Sequence, residues 1–186
     1  MGKRGRKYFL STVLFVVFFF ISLVLGCSKP AKSLSNEIKG PQIAVNPETV
    51  RLGVATLRGT KIVFRGSGFE PEDSVFIKLL NVSVNGEKVD LSIASGDVAK
   101  DGTFKAEIGI LTKISDFLRA NIESNEEMEN IIVVTSPPMP EGRYTARAIS
   151  MLSDKTAECT LNVEGPSMID SLKDWIGTLL GKIVKK

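Results

Sequence analysis

Ser74-Val75-Phe76-Ile77-Lys78-Leu79-Leu80, then Asn81, Val82-Ser83-Val84, Asn85-Gly86, Glu87-Lys88 and the run from Val89 to Ile93, form the stretch that decides the fold. Val75, Ile77 and Leu79 share one parity, and Phe76 and Leu80 share the other. Such alternation is the signature of a strand, whose successive side chains point to opposite faces. Asn85-Gly86 separates two runs rich in β-branched residues. A two-residue hairpin turn needs positive φ at its centre, which Asn and Gly supply at least cost.

The same texture extends in both directions. Upstream, Gln42 to Val45 reads as a short strand ended by Asn46-Pro47, and Thr49, Arg51 and Gly53 alternate with Val50, Leu52 and Val54. Thr60 to Arg65 is a further strand, opened by Gly59 and closed by Gly66-Ser67-Gly68. Downstream, the Asp101-Gly102 turn leads into Phe104, Ala106, Ile108 and Ile110 at period two. Gly142 to Ile149 places Tyr144, Ala146 and Ala148 on one face, and Asp154-Lys155 turns the chain into the strand holding Cys159. About eight short strands at this spacing predict an all-β chain with an antiparallel β-sandwich over residues 42–165.

Gly66-Ser67-Gly68-Phe69-Glu70-Pro71, Asp101-Gly102-Thr103-Phe104 and Gly142-Arg143-Tyr144-Thr145-Ala146-Arg147-Ala148 resemble the pattern of bacterial immunoglobulin-like domains of the IPT/TIG kind. The resemblance covers Gln42 to Val163. It implies an Ig-like sandwich with Phe69 and Tyr144 as core or corner aromatics. On function it implies a spacer, adhesive or accessory module. One segment departs from the pattern. Lys113 to Asn130 intervenes where a plain sandwich has a short connection, with Ile114, Phe117, Leu118 and Ile122 at helical spacing. Residues 113–130 therefore predict a helical insert followed by the acidic patch Glu123, Glu126, Glu127 and Glu129. It is either a cover over one end of the sandwich or a recognition element.

The beginning of the chain says where the protein works. Lys3, Arg4, Arg6 and Lys7 precede an uncharged run from Tyr8 to Gly26. As a helix this run spans about 28 Å, close to the roughly 30 Å of a bilayer core. The run ends on Val24-Leu25-Gly26-Cys27, which resembles the lipobox of bacterial lipoproteins. The resemblance implies a signal peptide over 1–26, diacylglyceryl and acyl (palmitate-type) lipidation of Cys27, and a tether over 27–41. An uncleaved single-span anchor is the rival. In either case the domain lies on the exported side of a cell membrane or outer membrane.

Composition narrows the chemistry. Four of the 24 basic residues and none of the 21 acidic ones fall in residues 1–26, so the remainder carries 20 against 21, a net charge of −1. No concentrated positive face is left for nucleic acid. The chain has no histidine, which excludes Ser/His/Asp and Cys/His catalysis and His-based zinc sites. Cys159 is alone once Cys27 is lipidated, and its parity with Ala157, Leu161 and Val163 predicts a buried thiol. Glu70, Glu72 and Asp73 lack the spacing of a calcium loop. We therefore expect no metal and no cofactor.

The C-terminus is a different element. Ser167 and Asp170 form an S-x-x-D capping box, and Met168, Ile169, Leu172, Trp175, Ile176, Leu179, Leu180, Ile183 and Val184 follow at helical spacing. This predicts an amphipathic helix over 166–186 with Lys182, Lys185 and Lys186 at its end. Its stripe, with Leu172, Trp175, Ile176, Leu179, Leu180 and Ile183 as contact residues, packs on the sandwich, on a partner helix or on an anionic membrane surface. The function expected is a membrane-anchored, non-enzymatic module meeting some envelope protein or surface. The alternative is an enzyme or enzyme subunit with a carboxylate site near residues 113–130.

Overall fold

The computed structural model describes Leu34, residues 40–84 and residues 86–186. The expected signal segment, the expected lipobox Val24-Leu25-Gly26, Cys27, most of the expected tether and Asn85 lie outside the described residues. Strands take 48% of the described residues and helices 18%, so the all-β class holds.

Among the described residues there are eleven strands in three sheets. The first sheet has the order β1 (Gln42–Asn46), β3 (Val63–Ser67) and β6 (Phe104–Glu107). The second has the order β2 (Thr49–Arg51), β10 (Thr156–Glu164), β9 (Gly142–Ser150), β4 (Ser74–Val84) and β5 (Glu87–Asp97). Residues of both sheets share one hydrophobic core: Val45, Phe64 and Phe104 from the first, Val75, Ile77, Ala148 and Leu161 from the second. Phe69 meets Phe104 edge to face, with ring centroids 5.1 Å apart. A Cβ at Gly66 would lie 2.0 Å from the Phe104 ring, so only glycine fits beneath it.

β4 shows how the sequence pattern becomes packing. Val75, Ile77 and Leu79 are buried, while Phe76 on the opposite face is partly exposed. The alternation would then put Val82 outside. Instead the register with β5 shifts between Leu79 and Val82, Asn81 adopts φ 55°, and the Asn81 amide donates to Asp90 at 3.0 Å. This bulge returns Val82 to the core and makes one long strand where two short ones were expected.

Five further expectations are corrected. Residues 54–59 form a helix, α1 (Val54–Gly59), rather than continuing an alternating strand. The insert is helical only through α2 (Ile110–Thr112) and a π-helical turn (Lys113–Phe117). Arg119, at φ 49°, breaks the helix, and Ile122 sits in β7 (Ala120–Ser124), opposite Ile132 of β8 (Asn130–Val134). The C-terminal helix α3 (Met168–Leu179) stops well short of residue 186. Ile183 is 5% exposed in β11 (Ile183–Lys185), which pairs parallel with β8. Finally, the sheets are not wholly antiparallel, since β2 also runs parallel to β10. Cys159 is half-buried against the core, less enclosed than its parity implied.

Candidate functional site

The end of the molecule where β10 finishes carries α1 and α3, and both helices are held by unusual means. α3 begins with the expected capping box: the Ser167 hydroxyl accepts from the Asp170 amide, and the Asp170 carboxylate accepts from the Ser167 amide at 2.8 Å. It ends in a Schellman turn. Gly181, at φ 68°, donates to Thr178 O at 3.0 Å, and Lys182 donates to Gly177 O at 2.9 Å. This reversal directs Ile183 into β11. Gly177, which lowers intrinsic helicity, is needed here because a Cβ would lie 2.6 Å from Ile183 Cδ1.

The side of α3 that faces the domain is polar. Asp170 and Asp174 are only 4% and 8% exposed. Asp174 accepts from the Val54 and Ala55 amides, both at 2.9 Å, and so caps the N-terminus of α1, whose own N-cap Gly53 has no side chain. Asp170 accepts from Thr56 Oγ1 at 2.5 Å. A Cβ at Gly53 would stand 2.6 Å from Asp170 Cβ, so the missing side chain lets the two helices meet. At the other end of α1, buried Lys113 donates to Arg58 O at 3.2 Å and Thr60 O at 2.9 Å. An anion at the N-terminus and a cation at the C-terminus both complement the helix dipole.

Burial opposes the charge of Asp170, but hydrogen bonds from the Ser167 hydroxyl, Thr56 and the Ser167 amide, with the charge of Arg51, outweigh it and hold this carboxyl below its ordinary range. Burial pushes the Lys113 ammonium down, partly offset by Glu107.

The outward side of α3 is apolar. Trp175 is 61% and Leu179 71% exposed, and Met168, Ile169, Leu172, Ile176 and Leu180 are exposed with them. At about 100° per residue these seven side chains fill an arc of roughly 140° opposite Asp170, Asp174 and Gly177. The helix is thus docked inside out. Of the contact residues expected from the sequence, Leu172, Trp175, Ile176, Leu179 and Leu180 lie together on this face, whereas Ile183 is in the core. Lys182 and Lys186 turn to the acidic patch, pairing with Glu129 and Glu123 of the β7–β8 hairpin, the latter at 3.4 Å. Lys185 is exposed on β11. The capping role of Asp174 was not read from the sequence. Its position four residues after Asp170, on the same face, was the available signal.

The other candidate sites do not assemble. An open depression of about 310 Å³ beside the insert is lined by Ser115, Asp116, Arg119 and Asn121, and Asp116 is its sole carboxylate. Glu70 pairs with Lys155 at 2.9 Å, and buried Asp73 accepts from the Ser150 hydroxyl and the amides of Ser74 and Leu152. Among the described residues no group of three or more His, Cys, Asp or Glu side chains could hold a metal, and no helix is long and apolar enough to cross a membrane.

No family model matches the chain, and no curated protein matches it. Among solved structures, a beta-glucosidase from Listeria innocua in complex with isofagomine is similar at 14% identity and a TM-score of 0.35, over 67% of this chain. That match spans 16% of the glucosidase chain. BslA, a bacterial hydrophobin, is similar at 14% identity and a TM-score of 0.30, over 75% of this chain and 100% of BslA. At this level neither neighbour assigns a fold or a function.

Proposed function

We propose that the protein is an exported lipoprotein, held in a cell membrane or outer membrane through acylated Cys27, whose β domain is a non-enzymatic binding, spacer or accessory module with α3 as its contact element. The observation that carries this reading is the inside-out docking of α3. A soluble domain gains about 25 cal/mol per Å² by burying apolar surface. Seven large apolar side chains left outside, on a helix fixed by its carboxylates, are surface kept for contact.

The same proposal takes the domain to be an Ig-like sandwich of the IPT/TIG kind. Supporting it are the core shared by two sheets and the Tyr144 hydroxyl, which donates to Pro140 O at 2.7 Å. That bond, reaching back four residues at the start of β9, is of the tyrosine-corner type found in Ig-like sandwiches. The anchor is tested by mass spectrometry of the mature N-terminus, with metabolic labelling by an alkynyl palmitate. Wild type should start at lipidated Cys27 and take the label, and Cys27→Ala should not. A native chain that begins at Met1 would defeat the lipoprotein reading.

A further inference from the structure

We infer that the outward face of α3 seats shallowly in a lipid surface bearing anionic headgroups, so that the domain is held at a bilayer by this helix as well as by its N-terminus. The inference rests on the membrane reading above and names the partner of the same face.

Charge is the first ground. Both carboxylates of α3 are turned inward and engaged by Val54, Ala55, Thr56 and Ser167. The charge that α3 offers to solvent is the Lys173 ammonium, beside the apolar arc. An apolar face with a lysine at one edge, and with no carboxylate of its own helix turned outward, suits anionic lipid.

Shape is the second ground. An arc of roughly 140° is wider than the narrow seam of a coiled coil. A partner helix laid along Leu172, Ile176 and Leu179 would leave Trp175 and Ile169 at the flanks in water. A lipid surface covers the whole arc at the shallow depth, about 5–10 Å, of an interfacial helix. Trp175 then lies at headgroup level, where its amphipathic ring is favoured.

The polar docking makes this arrangement stable without lipid. Asp170 and Asp174 fix the helix whether or not its outer face is covered, so α3 is presented preformed and loses little chain entropy on contact.

Trp175 is the chain's sole tryptophan, which makes it the probe. Full-length protein would be reconstituted into phosphatidylcholine vesicles with and without phosphatidylglycerol, carrying lipids brominated near the headgroup end of the acyl chain. The expected result is a blue-shifted Trp175 emission, quenched by the brominated lipid and more strongly with phosphatidylglycerol. Leu172→Asp and Leu179→Asp should each abolish the quenching while the protein still floats with the vesicles and keeps its melting temperature. An emission that brominated lipid leaves unchanged overturns the inference. So does concentration-dependent cross-linking between α3 helices in place of quenching, which would mean a second copy. The readout does not depend on how the N-terminus is held, because an uncleaved span also delivers the domain to the bilayer. Failure of Cys27 lipidation and failure of lipid contact by α3 are therefore distinguishable.

Discussion

β4 and α3 are both amphipathic, yet they obey opposite rules. β4 turns Val75, Ile77, Leu79 and Val82 into the core and leaves its polar side chains outward. α3 turns Asp170 and Asp174 inward and leaves Leu172, Trp175, Ile176 and Leu179 outward. In the strand, burial specifies the structure. In the helix, a few charge-assisted hydrogen bonds to backbone amides specify it, and burial contributes little. A position fixed by burial cannot be used for recognition, whereas apolar residues on an element fixed by its polar side remain available.

Breaking each side of this contrast should give different results. Phe64, fully buried in β3, belongs to the burial-specified part. Phe64→Ala should cost about 3–5 kcal/mol in denaturant unfolding, the usual range for an emptied aromatic site. Asp174→Ala should cost about 1–3 kcal/mol, since it leaves two helix N-terminal amides without their charged acceptor. Hydrogen exchange at Val54 and Ala55 should rise more than exchange in β4. Uniform acceleration across the domain would mean that α1 and α3 are not separately held.

Acid should loosen the same latch. The folded-state pKa of Asp170 is held down, so its contribution is fully present above the unfolded value of about 3.9 and is lost as pH falls through the lower folded value. Exchange at Val54, or the near-ultraviolet signal of Trp175, should report release of α3 in acid before the sheets melt. In Asp170→Asn that acid transition should be weakened. The smallest effect is expected at Leu179→Asp. With 71% of the side chain exposed, stability should change by no more than about 0.5 kcal/mol. A loss of several kcal/mol would mean that the outer face is already covered within the protein.

What could be read in the sequence follows from how local each cause is. The alternation of β4, the Asp101-Gly102 turn and the Ser167–Asp170 capping box were legible, because the residues that decide them are neighbours in sequence. Asp101, for instance, accepts from the amide and hydroxyl of Thr103 at 3.0 and 2.7 Å. α1 was not legible, because its two caps come from Asp174 and Lys113, far along the chain. β11 was hidden because Ile183 and Val184 continue the helical spacing. Gly181 marks the stop, yet a glycine there also reads as a weak helix position. The direction of α3 was not legible either. A stripe of apolar residues opposite two aspartates looks the same whichever side is buried, and the decision lies with the amides of α1.

The pairing of β2 with β10, and of α1 with α3, also bears on how the chain reaches its final form. Thr49 faces Asn162, and Val54 meets Asp174 across 120 residues. Contacts of such wide separation close late, because the loop entropy must be lost before the contact rewards it. The first strand–helix segment to be synthesised therefore waits for nearly the last. Until residues 162–174 arrive, β2 lacks its neighbour and α1 lacks its N-terminal cap. The end at which α1 and α3 meet is therefore the part of the domain completed last, when nearly the whole chain has been made.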